Sequence, residues 1–254
     1  VAWDPDNYLH FGGHRIRPAL DLMARVPLST PERIVDLGCG TGNIARFLKD
    51  YWPGARLTGV DSSAEMLARA FADGLDVTLI EADLREWQPE DAPDLIFSNA
   101  VLHWCDDHAA LFPRLLNFLA PRGVLAIQMP RNHSAPSHTC MTEAARSGPW
   151  AEKLEPVLRE QPVETPEYYY DVLKPHAWRL DIWETDYMQV LEGDNPVVDW
   201  TRGTALKPLL DELDENEKIA FEFEYARRLQ AAYPKAGDGK TLFPFKRLFI
   251  IAQR

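Results

Sequence analysis

The sequence predicts an α/β fold, a doubly wound and mostly parallel sheet, and three observations predict it. Short β-branched and apolar runs alternate with segments of helical period from residue 33 to residue 129. The first run closes on a glycine-rich turn, VDLGCGTG at 35–42. Later runs end in Asp61, Asp83 and Asn99, which alternation would bring to one edge of the sheet. Strands joined through helices imply parallel pairing with right-handed crossovers. In such sheets ligands sit outside the C-terminal strand ends, where the strand order reverses.

Taken in order, RIVDL at 33–37 is a buried strand. GNIARFLKDY at 42–51 reads as a helix with Ile44, Phe47 and Leu48 on one face, stopped by Pro53-Gly54. ARLTGV at 55–60 is a second strand ending at Asp61, and Ser62 or Ser63 caps the helix after it. That helix breaks at Gly74. Strands follow at 77–80, 93–98 and 124–129, with a helix over 107–119 before the last of them. Beyond residue 130 lie two segments rich in Trp, Tyr and Pro, 131–180 and 192–242. They read as helical insertions forming a cap, and in ENEKIAFEFEYARRLQAAY the apolar residues Ile219, Phe223, Ala226 and Leu229 recur near helical spacing. The organisation expected is one domain over 1–254, with an N-terminal helical lid at 1–30 and a cofactor-binding core at 31–130.

Composition narrows the function. The chain has 254 residues, 46% hydrophobic and 26% charged, which suits a soluble globular protein. No apolar run approaches the roughly 18 residues that a membrane span needs. The opening VAWDPDNYLH has neither a basic nor an apolar leader character, so a cytoplasmic location is expected. Cys39, Cys105 and Cys140 form no CxxC pair and no zinc spacing, and read as reduced thiols. No metal is expected: none of the seven histidines is read as having metal spacing, and His133 and His138, five apart, lack carboxylate or cysteine company. The net charge of −12 and the lack of a Lys/Arg run argue against nucleic-acid binding, which depends on cationic contacts with phosphates.

The turn itself points to a ligand. Gly38, Gly40 and Gly42 are spaced G-x-G-x-G, and the position where a dinucleotide fingerprint has its third glycine holds Asn43. A carboxylate at Asp36 would oppose a pyrophosphate and suit a cation. Asp61, 19 residues beyond Gly42, has the spacing of an acid that accepts from ribose hydroxyls. A nucleoside with a positive or zwitterionic tail and no phosphate meets these demands, and S-adenosyl-L-methionine is such a molecule.

VDLGCGTG, GVDSS, EADLREW, DLIFSNAVLHW and LAPRGVLAIQ, in that order over residues 32–129, resemble the successive motifs of class I S-adenosylmethionine-dependent methyltransferases. The resemblance implies a Rossmann-like seven-stranded sheet whose last two strands, here 181–191 and 245–254, form an antiparallel pair. It implies that Gly38, Gly40 and Gly42 admit the cofactor close to the backbone and that Asp36 orients the loop or the cofactor amino group. Asp61, with Ser62 beside it, would hold the ribose. Asp83 would accept from the adenine amino group with Leu84 packing nearby, Asn99 would face the methionine portion, and Trp104 would line the sulfonium pocket. Each has a plainer alternative: Asp61 and Asp83 as turn caps, Trp104 as core.

The acceptor is read from what is missing and from a narrower resemblance. The site after strand four reads SNAVLHW and lacks the proline pair of enzymes that methylate base amino groups, so a small molecule is expected. WDPDNYLHFGGHRIRPALDLMARV, VVDWTRGT, WETDY and GKTLFPFKRLFIIA resemble a branch of the same family that esterifies one carboxylate of trans-aconitate, a small tricarboxylic acid. A trianion in a chain of charge −12 needs a local cationic cluster. Arg15, Arg17, Arg131, Arg202, Lys246 and Arg247 are the candidates, each with solvated surface as the alternative. His103 either donates a hydrogen bond to the acceptor carboxylate or is structural. Tyr8 and Phe11 form an aromatic lid or a packed helix face, while His133, Trp200, Arg202 and Tyr225 are candidates for the acceptor wall. The rival functions are a nicotinamide oxidoreductase, a non-catalytic cofactor-binding module, and a methyltransferase for another small or carrier-bound acid.

Overall fold

The computed structural model describes residues 12–72, 76–159 and 161–254, with side chains from Ile16 onward. Tyr8 and Phe11 lie outside the described residues, as does the side chain of Arg15. The chain forms two compact units. One holds Arg15–Pro130, Val163–Thr185 and Arg247–Arg254; the other is built mainly from Arg131–Pro162 and Asp186–Lys246.

The sheet has seven strands: β1 (Arg33–Leu37), β2 (Arg56–Asp61), β3 (Thr78–Glu81), β4 (Leu95–Asn99), β5 (Val124–Pro130), β6 (Arg179–Leu191) and β7 (Thr241–Gln253). Their spatial order is β3-β2-β1-β4-β5-β7-β6. β1 lies parallel to both β2 and β4, and β5 continues the parallel run beside β4. β7 runs antiparallel to β5, pairing Val124 with Gln253 and Pro130 with Arg247. Order therefore reverses between β1 and β4, which makes their C-terminal ends the expected ligand edge.

Burial explains the strand composition. β1, β4 and β5 are covered on both faces, so they read as continuous apolar runs rather than alternating ones. Three polar residues interrupt them: Asp36, Ser98 and Gln128, all buried. The Ser98 hydroxyl donates to the Leu37 carbonyl at 3.0 Å, which satisfies it. Asp36 and Gln128 have no such explanation within the sheet.

The helices of this unit begin with α1 (Gly12–Met23), which buries Ala19, Leu22 and Met23. The helix after the glycine turn, α2 (Ala45–Tyr51), starts three residues later than its sequence period suggests. Gly42 has φ +75°, a left-handed conformation that cannot continue a right-handed helix, and its N–H closes a turn onto the Cys39 carbonyl. α3 (Ala64–Ala72) is capped by Ser63, whose hydroxyl accepts from the Met66 N–H. α4 (His108–Phe118) is capped by Asp107, which accepts from the Ala110 N–H. α7 (Pro166–Leu173) packs against α4, where the buried Tyr169 hydroxyl meets His108 Nδ1 at 2.7 Å.

The second unit contains α5 (Pro136–Ser147), α6 (Ala151–Leu154), α8 (Pro196–Arg202), α9 (Lys207–Asp211) and α10 (Glu215–Ala232). Its core joins Trp150, Trp200, Phe221, Tyr225, Phe243 and Phe245. α10 does not bury the stripe anticipated from Ile219 and Phe223, which stay 70% and 72% exposed. Phe221, Tyr225 and Leu229, four residues apart, face the core instead. A capping box starts the helix: Asp214 accepts from Asn216 and Glu217, and Glu217 accepts from the Asp214 N–H. Among the described residues no helix is long and apolar enough to cross a membrane.

Candidate active site

The glycine turn is a backbone device. Gly38, Gly40 and Gly42 all have positive φ, at +80°, +54° and +75°. The N–H groups of Gly38 and Cys39 both donate to the Val60 carbonyl, which pins the turn to the end of β2. Asp61 closes the same junction: its Oδ2 accepts from Gly40 N–H and its Oδ1 from Ser63 N–H, each at 2.9 Å. One carboxylate thus ties the β1 turn to the start of α3. Ser62 beside it is exposed.

Asp36 sits just before the turn, inside the sheet and 2% exposed. Among the described residues its Oδ2 has no hydrogen-bond partner. Burial pushes its carboxyl up to about 7, and the neighbouring Asp61 charge adds to the rise. Cys39 is buried against Gly59, and burial also pushes its thiol up.

β4 supplies the opposite wall. Asn99 ends the strand with Oδ1 buried and, among the described residues, without a partner. Ala100 follows in a left-handed conformation, φ +57°, an arrangement that costs a non-glycine residue about 1–3 kcal/mol and concentrates at functional sites. Its N–H donates to the Gln128 carbonyl at 2.9 Å. The chain then makes a single 3-10 turn, Leu102–Trp104, in which Leu102 is buried and the His103 and Trp104 rings lie 4.8 Å apart.

Gln128 was not singled out from the sequence. It pairs in register with Asn99, is 1% exposed, and leaves both amide atoms without partners among the described residues. The available signal was an amide in the otherwise apolar strand VLAIQMP. Asp83 is half-buried, and its carboxylate is gripped by Arg85 through the backbone N–H and the guanidinium. That contact holds Asp83 at about 2. Leu84 packs into the core with Trp87.

Four parallel strands therefore carry Asp36 to Gly42, Asp61, Asp83 and Asn99 to Trp104 at their C-terminal ends, within one unit. A family model described as a methyltransferase domain matches residues 8–184. A trans-aconitate 2-methyltransferase of Azoarcus sp. (strain BH72) is 49% identical over 253 residues, covering 100% of this chain and 99% of that protein. The chain belongs to the trans-aconitate 2-methyltransferase family. A second relative of that name, from Yersinia pestis (strain Pestoides F), is 45% identical and covers 98% of this chain and 97% of its own length. The fold is that of a solved Haemonchus contortus phosphoethanolamine N-methyltransferase 2 in complex with S-adenosyl-L-methionine. The TM-score is 0.56 at 21% identity, over 93% of this chain and 52% of that one.

In this member of the trans-aconitate 2-methyltransferases the remaining candidates separate. Arg17 is exposed on α1, and Arg247 is buried on β7. In the second unit Trp200 packs on Phe243 and Phe245 in the core. Tyr225 is fully buried, and its hydroxyl donates to the Ser137 carbonyl at 2.6 Å. Arg202 is committed to two acids, Glu222 at 2.7 Å and Asp199 at 2.8 Å. His133 lies against His138 with ring centroids 4.8 Å apart. Among the described residues no cluster of three or more His, Cys, Asp or Glu could hold a metal ion.

Proposed function

We propose that the protein transfers a methyl group from S-adenosyl-L-methionine to a carboxylate of trans-aconitate, forming its monomethyl ester. The observation that carries this reading is the 49% identity, end to end, with a relative of that name. The strand-end residues support it, because their chemistry fits the cofactor. Asp36 Oδ2 and Asn99 Oδ1 are buried acceptors lacking donors among the described residues, and the cofactor carries an ammonium group. The positive-φ glycines leave the backbone bare where a ligand would approach.

When bound, the cofactor supplies an electrophilic methyl on a positive sulfur. The residues of the chain bind and orient. Asp36 and Asn99 hold the amino-acid portion, with Gln128 beside Asn99. Asp61 has lone pairs left for the ribose after its two backbone bonds, and Asp83 accepts from the adenine amino group. Trp104 offers its ring face to the sulfonium. The acceptor carboxylate, with a pKa near ~4, is already ionised at neutral pH and needs no general base. Positioning therefore dominates, and oriented approach supplies at most roughly 7–11 kcal/mol. His103 donates to the reacting carboxylate and fixes its angle. Arg17 and Arg247 offset the charge of an anionic acceptor against the negative field of the whole chain.

Methyl-labelled cofactor offered with trans-aconitate, citrate, isocitrate and a monocarboxylate tests the reading. Base-labile label is expected chiefly on trans-aconitate; no ester on any acid, with cofactor binding intact, would sink it. His103→Ala is expected to lower kcat about 10–100-fold, the worth of a hydrogen bond to a charged group at roughly 1.5–3 kcal/mol. Binding of S-adenosylhomocysteine should stay within about twofold. A kcat unchanged by the substitution would remove His103 from the mechanism.

A further inference from the structure

One face of the sheet carries a row of polar side chains, all in the unit that holds the glycine turn. β4 and β5 pair Asn99 with Gln128, while β5 and β7 pair Gln128 with Phe249 and Pro130 with Arg247. Residues paired across strands share a face, and so do residues two apart along one strand. Asn99, Gln128, Phe249 and Arg247 therefore stand on one side of the sheet, at the C-terminal ends of β4 and β5. The intervening residues Ile127, Met129, Leu248 and Ile250 join the apolar cluster of Leu115 and Leu173 on the other side.

Gln128 is the member that the fold explains least. It is 1% exposed, and neither of its amide atoms has a partner among the described residues. Buried polar groups of native proteins are nearly always satisfied, and a primary amide can both donate and accept. Phe249, directly opposite on β7, closes that side with an apolar ring stacked on Trp183 at 4.8 Å. On the β4 side, Asn99 Oδ1 also lacks a donor among the described residues. An orphan amide beside an orphan acceptor calls for a ligand that meets both.

Strand order separates the parts of that ligand. The sheet runs β1, β4, β5, β7, so Gln128 lies one strand farther from the glycine turn than Asn99, about 4.8 Å, and Arg247 one strand farther again. Arg247 is diagonal to Gln128, at the roughly 7–8 Å that long side chains span. It is buried, and its guanidinium is always charged and presents N–H donors in a planar fork. The cofactor ammonium belongs at the inner end of the row, with Asp36 and Asn99. Outward from it, an amide and a guanidinium on one face suit a carboxylate, which has about four acceptor positions and no donor.

We propose that Gln128 and Arg247 together seat a carboxylate of the acceptor that is not methylated. The proposal rests on the tricarboxylate reading above. The Gln128 amide nitrogen donates to that carboxylate, and its oxygen turns to the cofactor ammonium. A neutral side chain with both functions fits between a cationic and an anionic group. A monocarboxylate acceptor has nothing to place in the seat, which makes Gln128 a specificity residue.

The test uses Gln128→Leu in the full chain. Leucine keeps the approximate shape without the polar atoms. Those atoms are unpaired in the ligand-free fold, so the variant should melt no lower than wild type, whereas a glutamine kept for the fold would melt lower when replaced. KM for trans-aconitate is expected to rise about tenfold or more, kcat to change much less, and S-adenosylhomocysteine affinity to fall no more than about threefold. Gln128→Glu keeps an acceptor oxygen, loses the donor, and stands in with the same expected rise in KM should leucine not fold. Arg247→Lys keeps the charge and loses the fork. It should raise the same KM, and with Gln128→Leu the combined rise should be smaller than the product of the two. KM within twofold of wild type in a folded Gln128 variant overturns the seat, as does cofactor affinity that falls as far as KM rises, or a full product in the double variant. Each of these leaves the tricarboxylate reading in place. If wild type forms no ester on trans-aconitate, that reading fails first. Titration of trans-aconitate into the S-adenosylhomocysteine-loaded protein then decides the seat: binding weakened about tenfold in Gln128→Leu supports it, and equal or absent binding overturns it.

Discussion

Asp36→Asn is expected to stabilise the ligand-free protein at pH 8 by as much as about 4 kcal/mol while weakening its hold on the cofactor. The size follows from a carboxyl moved from 3.8 to about 7, at 1.36 kcal/mol per unit. The sign follows from proton counting. Between those two values the folded protein keeps a proton that the unfolded chain has released, so stability falls as pH rises. Above about 7 the folded state carries an ionised group in a site that disfavours it, and the cost is complete. Below about 4 both states are protonated and the cost vanishes. Denaturant melts of the wild type and the variant at pH 4, 6 and 8 should therefore diverge progressively. A difference that does not change with pH would show that the asparagine acts through packing alone.

The same group links cofactor affinity to pH in the opposite sense. The proposed partner of Asp36 is the ammonium of the cofactor, which prefers the ionised carboxylate. At pH 6 only about one-tenth of a group titrating near 7 is ionised, so apparent affinity should drop about tenfold from its plateau. An α-amino group, with a pKa of about 7.7–8.0, is nearly all protonated at pH 6 and mostly protonated at pH 7.5. Asp36→Asn should be weaker throughout, with the slope between pH 6 and 7.5 lost. On the proposed role of Asp36, stability is given up in the empty protein to hold a buried anion ready for a cationic ligand.

Much of the sheet was legible because parallel strands buried on both faces leave apolar runs, and turns between them leave glycines and acids. The strand-end placement of Asp36, Asp61 and Asn99 is readable for the same reason: a polar residue interrupts each apolar run where the strand ends. The pairing of Asp61 with Gly40 and Ser63 was not, since it depends on how two turns meet. Gln128 escaped because one amide in an apolar strand gains meaning only beside Asn99. In the second unit the signals misled. Two stripes compete on α10, and the alternation of Trp, Tyr and Phe does not say which ring becomes core. Trp200 and Tyr225, candidates for the acceptor wall on sequence, are buried in the core of the second unit. Arg202 carried a charge suited to an anion, but Asp199 and Glu222 hold it, and only the folded contacts reveal that.

Glycine positions in the turn separate two kinds of constraint, and substitution should tell them apart. At Gly38 a β-carbon would come within 2.4–2.5 Å of the Val101 side chain, at a φ of +80°. Left-handed strain of about 1–3 kcal/mol and overpacking of about 1–3 kcal/mol then combine, so Gly38→Ala should cost about 2–6 kcal/mol in thermal or denaturant melts. Val101→Gly in the same chain should restore part of that loss, whereas Val101→Ala keeps the β-carbon at 2.5 Å and should restore less. Gly40 has φ +54° but nothing within 4 Å of the added carbon. Gly40→Ala should therefore cost only the strain, about 1–2 kcal/mol. Its larger effect should be on cofactor affinity, because the space beyond Gly40 is where the ligand is proposed to lie. Equal cofactor affinity in Gly40→Ala and wild type would move the ligand away from the turn. A large stability loss there would mean that the turn serves the fold alone.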